Sequence, residues 1–194
     1  MSLAISVFAE PAEEPLSLEE AKAQLRISND EESALVKTYI KAARRYLERT
    51  RGRAFITQTL ERQMDCFPRC GFFELPRPPL QSVTFIKYVD YGGNLVTLDP
   101  AYYQVDTKSR PGRVAPAYGL IFPPSRPQLG AVTVRYVCGE GAAAAVPEEV
   151  RQAMRLLVTD AFEFRSESVI GQVVSTRNAV DALLPVTETM WIGR

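Results

Sequence analysis

The chain has 194 residues, 46% of them apolar and 24% charged, and its formal net charge is zero. That length suffices for one substantial core or two smaller ones, and the charge balance excludes a molecule that binds nucleic acid through its overall field. There is no histidine, which removes the commonest general base, the commonest transition-metal ligand and the Ser–His–Asp arrangement.

Residues 1–15 read as an extended arm: Pro11 and Pro15 discourage helix, and Glu10, Glu13 and Glu14 keep the segment wet. The start, MSLAISVFAEPAEEP, lacks the charged end and long apolar region of a secretory signal, and no apolar run approaches a membrane span. The expectation is a protein that works where it is made. Ser17-Leu18-Glu19-Glu20 is a capping box, and Leu18, Ala21 and Leu25 give the short helix it opens an apolar side. After the turn Ser28-Asn29-Asp30 comes the longest helical pattern, Asp30 to Arg51, with Asp30 as its expected N-cap and Gly52 as its stop. Leu35, Val36, Tyr39, Ile40, Ala43, Tyr46 and Leu47 recur at spacings of three and four and form its packing stripe. The opposite side is assigned Lys37, Lys41, Arg44, Arg45 and Arg49, with Glu48 as its only acid.

Beyond Gly52 short β-rich runs alternate with turn signals. Strands are expected at Thr57–Cys66, Gly71–Leu75, Ser82–Asp90, Leu95–Leu98, Tyr102–Asp106, Gly119–Phe122 and Ala131–Cys138, with a hairpin turn at Tyr91-Gly92-Gly93-Asn94 and a mobile proline-rich loop at Ser109–Pro116. Pro147, Glu148 and Glu149 then open a second long helix, whose stripe is Val150, Met154, Leu157, Val158, Ala161 and Phe164. Asn178–Leu184 is a last short helix stopped by Pro185. The fold class is therefore α+β: a small helical bundle with an antiparallel β domain, a sandwich or small barrel, inserted between the long helices. The domains read as an arm at 1–15, a helical domain at 16–53 plus 147–184, an inserted β domain at 54–139, a linker at 140–146 and a tail at 185–194. Cys66, Cys70 and Cys138 form no framework; they read as reduced thiols and are too few for a four-ligand zinc site without histidine. We expect no metal, no cofactor and no catalytic residue, because no nucleophile, base or metal constellation can be assembled.

The order of these pieces resembles the head–tail connector, or adaptor, proteins of long-tailed bacteriophages, prophages and gene transfer agents. The matching pieces are Leu16-Ser17-Leu18-Glu19-Glu20-Ala21-Lys22, Ile40 to Ala54, Val134-x-Tyr136-x-x-Gly139, and Val146-Pro147 leading to Phe162-Glu163-Phe164-Arg165. The resemblance implies a non-catalytic structural protein of the virion neck, assembled in the host bacterial cytoplasm. It implies a homo-oligomeric ring of about twelve copies that joins the portal protein to the next neck or tail-completion protein after DNA packaging.

Two candidate sites follow. Lys37, Lys41, Arg44, Arg45 and Arg49 read first as a solvated helix side; in a ring they would line the lumen or contact a neighbouring subunit, touching the backbone of threaded DNA without reading its sequence. Met190, Trp191 and Ile192 read either as a terminus folded on its own subunit or, as the resemblance implies, as a portal-anchoring tail. The alternative function is a non-catalytic β-domain module of a tail or regulatory protein, binding carbohydrate or nucleic acid.

Overall fold

A computed structural model of the chain describes residues 4–68, 71–163 and 179–184. The architecture is α+β, with three α-helices and eight strands among the described residues. The chain divides into two compact units: Met1–Ala12 with Thr57–Gly139, and Glu13–Ile56 with Glu140–Arg194.

The second of these is helical. Helix α1 spans Leu18–Leu25 and opens on the expected capping box: the Ser17 hydroxyl accepts from the Glu20 N–H, and the Glu20 carboxylate accepts from the Ser17 N–H. It ends at Arg26, which adopts the left-handed conformation. Helix α2 spans Ser33–Arg51, with Arg49 and Arg51 in its last turn and Gly52 at φ 62° ending it, since a glycine carries no Cβ to oppose that conformation. The helix starts three residues later than expected. Asp30 is not its N-cap: its carboxylate pairs with Lys22 Nζ at 2.6 Å, so it staples the turn to α1. Helix α3 spans Glu148–Glu163, and residues 179–183 are helical. Val36, Ile40, Ala43 and Leu47 of α2, Val150, Ala153, Met154 and Val158 of α3, and Ala21, Leu16, Phe55, Ile56 and Val180 form one buried cluster. Leu157 and Ala161, expected in the α3 stripe, are only half-buried.

The β unit holds two open antiparallel sheets. The first has five strands in the order β1-β2-β8-β4-β5 and the second three in the order β3-β7-β6, so the barrel alternative does not form. Here β1 is Ala4–Ala9, β2 Gln58–Met64, β3 Phe73–Leu75, β4 Leu80–Val89, β5 Leu95–Thr97, β6 Tyr103–Asp106, β7 Gly112–Pro116 and β8 Val132–Cys138. In β2 and β8 alternate residues are buried, the period of a sheet with one covered face. Three sequence expectations are corrected. Ala4–Ala9, read as part of a free arm, is an edge strand antiparallel to β2. Gly112–Pro116, read as a mobile loop, is the central strand of the small sheet, with Gly112 so close to Leu80 that any Cβ there would clash. Gly119–Phe122, read as a strand, is a turn and an irregular segment.

The Val134-x-Tyr136-x-x-Gly139 pattern has a structural meaning inside this unit. Val134 and Tyr136 are fully buried on the covered face of β8. The Tyr136 hydroxyl donates to the Pro76 carbonyl at 2.9 Å, and burial raises its pKa. Gly139 leaves the strand at φ 122°, a conformation that favours glycine, and its N–H donates to the Pro79 carbonyl at 2.9 Å.

Ile40 and Met154 sit at the centre of the helical cluster. Met154→Ala is expected to cost about 2–5 kcal/mol, and Ile40→Asp to unfold the helical unit because it places a carboxylate among buried apolar side chains. Thermal melting followed by circular dichroism checks both; parental stability in Ile40→Asp would contradict the core as described.

Candidate functional site

The five basic residues assigned to one side of α2 do not share an environment. Lys37, Arg45 and Arg49 are exposed and Lys41 is half-buried. Arg44 is 1% exposed and does not belong to the basic side. The row Val36, Ile40, Arg44, Glu48 advances four residues at a time, so it runs along the packing stripe rather than opposite it. Glu48, expected as an acid among those bases, is likewise buried at 2% exposure.

Burial is tolerated because the charge is matched. Arg44 Nε donates to Glu14 Oε2 at 2.7 Å and Nη2 to Glu14 Oε1 at 3.3 Å, a two-pronged contact suited to a planar guanidinium. Arg44 Nη1 donates to Glu48 Oε2 at 2.9 Å, and Glu48 Oε1 accepts from the Phe55 N–H at 3.2 Å. The cluster ties the segment before α1, the middle of α2 and the residues that follow α2. Its chemistry is that of a structural clamp: every charged oxygen and nitrogen faces a protein partner.

Other ion pairs reinforce the helical unit. The Glu20 carboxylate pairs with Arg151 and lies 3.7 Å from Arg155, so the N-terminal turn of α1 is linked to α3. Its pKa is held below the ordinary glutamate value chiefly by the Ser17 N–H, helped by the Ser17 hydroxyl and the two arginines against the effect of burial. Arg51 pairs with Asp181 at 2.5 Å, and Arg53 with Glu140.

On the outer face of the five-stranded sheet, Ser6, Glu61, Arg135 and Phe85 stand in one row across β1, β2, β8 and β4. Arg135 pairs with Glu61 at 2.6 Å, and its guanidinium lies 3.3 Å from the Phe8 ring centroid and 4.7 Å from that of Phe85. A shallow cleft on the small sheet is lined by Phe72, Gln104, Val105, Asp106, Arg113 and Ala115. Its charges are already paired, Arg113 with Asp106 at 3.0 Å, and Asp106 is held strongly below the usual carboxylate range, first by the Ser109 hydroxyl. Among the described residues no group of acids, cysteines and histidines could hold a metal ion, and no helix is long and apolar enough to cross a membrane. The candidate tail residues Met190, Trp191 and Ile192 lie outside the described residues, as does Cys70.

The comparisons with known proteins bear on these elements. The model of a family described as phage gp6-like head-tail connector protein matches residues 15–88, which run from the α1 capping box through α2 into β4. The pieces Leu16–Lys22 and Ile40–Ala54 fall inside that match, and the family resemblance drawn from them holds there. No curated protein matches the chain. Among solved structures, a chain from the neck of an empty gene transfer agent (GTA) particle computed with C6 symmetry is 20% identical, with a TM-score of 0.76 over 93% of this chain and 94% of that one. A chain from the virion of a native GTA particle is 20% identical, with a TM-score of 0.74 over 92% and 94%. A chain from the neck of a native GTA particle computed with C12 symmetry is 19% identical, with a TM-score of 0.66 over 91% and 94%. At such identity the likeness is one of fold.

Because Arg44 and Glu48 are buried and paired, Arg44→Met is expected to destabilise the chain by about 3–5 kcal/mol, since it strands the Glu48 carboxylate away from water and leaves the part-exposed Glu14 without its partner. Arg44→Lys is expected to recover only part of that, because one ammonium cannot engage Glu14 through two prongs and Glu48 as well. Chemical denaturation checks this; an unchanged midpoint in Arg44→Met would contradict the clamp.

Proposed function

We propose that this chain, which matches the phage gp6-like head-tail connector family over residues 15–88, is a structural head–tail connector of a phage-like particle and has no catalytic role. The observation that carries this reading is the agreement of two likenesses on the same elements: the family match falls on α1, α2 and the first strands, and chains from GTA necks share the fold over more than nine-tenths of both lengths. A location in the particle neck follows. Necks computed with C6 and C12 symmetry support a ring of copies, and we take it as about twelve, assembled in the host cytoplasm and joining portal to tail-completion protein. We read the architecture as a small helical bundle with the antiparallel β domain inserted between its long helices. A producing strain that lacks the chain is expected to yield DNA-filled heads without attached tails, scored by electron microscopy of the lysate. Normal tailed particles from that strain would defeat the reading.

Two parts of the chain carry the contacts. Met190, Trp191 and Ile192 anchor the ring to the portal; many copies acting together make even weak anchors effective. Lys37, Lys41, Arg45 and Arg49 face the lumen or a neighbouring subunit, and the burial of Arg44 removes it from that set. Deleting residues 186–194 is expected to leave folding intact and abolish recovery in a portal pull-down. Lys37→Glu, Arg45→Glu and Arg49→Glu together are expected to leave the melting curve nearly unchanged, because exposed charges contribute little individually, and to reduce DNA retention in particles. Equal portal recovery in the first case, or full DNA content in the second, counts against the corresponding assignment.

A further inference from the structure

Among the described residues, every large apolar side chain that is well exposed belongs to the β unit. Six of the ten fall in two places; Tyr118 and Leu120 belong to the loop that carries Ile121, and Phe72 and Tyr102 lie elsewhere in the unit. One group gathers at the end of the five-stranded sheet where β2 and β4 finish and β8 and β5 begin, an end defined by the register pairs Met64–Val132, Tyr88–Val132 and Val89–Leu95. It comprises Tyr91 at 68%, Leu95 at 65%, Ile121 at 85% and Leu129 at 88% exposure. The other group is Val7 and Phe8 on β1, the outermost strand of the same sheet; one side of the Phe8 ring is covered by the Arg135 guanidinium and the rest of it is open. The segment Ala4–Ala9 contains no charge and no proline, the usual protections of a free sheet edge; a register shift at Val7 and Ala9 is its one irregularity.

The first group is held rigidly. The loop that carries Ile121 and Leu129 is pinned where Phe122 stacks on Phe67, with ring centroids 4.7 Å apart. It is pinned again where the Arg126 N–H donates to the Val89 carbonyl at 2.9 Å, and where the Gly130 N–H donates to the Asp65 carboxylate at 2.9 Å. Tyr91 is displayed on a hairpin closed by the Asp90 carboxylate, which accepts from the Asn94 N–H at 2.8 Å. A loop so fixed cannot fold its apolar side chains inward, so their exposure is a property of the fold. Exposed apolar surface of this extent marks a contact.

Two separate patches on one rigid unit are what a head-to-tail contact between identical subunits requires, whereas a two-fold contact needs only one patch facing itself. We propose that, in the ring taken above as the functional form, the end patch Tyr91, Leu95, Ile121 and Leu129 of one copy seats on the Val7–Phe8 edge of the next copy. The proposal rests on the connector reading for the existence of the ring. The β unit then supplies the apolar adhesion between subunits, and the helical unit keeps its charged surface for other contacts.

Cross-linking in particles tests it. Val7→Cys and Leu129→Cys are introduced together in a chain whose Cys66 and Cys70 are replaced by serine, and particles are resolved on a non-reducing gel after mild oxidation. A ladder of covalently joined copies is expected, with no ladder from either single cysteine. A chain present in the particles without a ladder overturns the proposed contact and leaves the connector reading standing; a chain missing from otherwise normal particles overturns the connector reading itself. A solution experiment is independent of particles. The end variant Ile121→Asp with Leu129→Asp and the edge variant Val7→Lys, each with a parental melting curve, are expected to be monomeric alone by native mass spectrometry. Mixed, they form a one-to-one heterodimer, because each still offers the patch the other lacks. Homodimers of either variant, or a mixture that stays monomeric at concentrations where the parent associates, would overturn the head-to-tail geometry.

Discussion

The buried guanidinium of Arg44 is the constraint around which the helical unit is arranged. A cation with 1% of its surface exposed is sustained only while its partners stay in place. One partner is remote and one is local: Glu14 lies 30 residues before Arg44, and Glu48 one turn after it. Through the Phe55 N–H held by Glu48, the position of α2 also fixes where the chain departs from it. The apolar cluster around Ile40 and Met154 supplies the larger share of the burial, but it is non-directional. The Arg44 cluster sets register, because a one-residue rotation of α2 would leave three charged groups unmatched.

The division of surface character follows from the same economy of placement. Acids and bases in the helical unit are largely spent on each other, as in the Glu20, Arg151 and Arg155 group and the Arg51–Asp181 pair. Within the β unit, polar pairs such as Glu61–Arg135 and Asp106–Arg113 stand beside one end and one edge of the larger sheet that carry exposed apolar side chains.

Much of this was legible in the sequence where local chemistry decides the outcome. The Ser17 capping box, Gly52 as a helix stop, and the strands flanking Tyr91–Asn94 each depend on residues a few positions apart. What escaped depends on distant partners. Ala4–Ala9 carries a strand pattern, yet its pairing with β2 joins positions 50 to 59 residues apart, and the adjacent prolines and acids mask it. Gly112–Pro116 is bounded by Pro111 and Pro116, so its place between β3 and β6 is a tertiary result. Arg44 reads as a solvent-side charge by residue type, whereas the four-residue row from Val36 to Glu48 puts it on the packing stripe. The connector resemblance came from the order of weak motifs, and the matched span of 15–88 covers the earlier of them.

The register of β2 against β8 has one more consequence. Gln58 stands opposite Cys138, so the first residue of β2 and the last of β8 are paired neighbours, roughly 5 Å apart as in any antiparallel pair. The 79 residues between them, 59–137, begin and end side by side, as the arms of a tight turn do. Loops of the β unit remote from this pair can change length without moving its two ends apart.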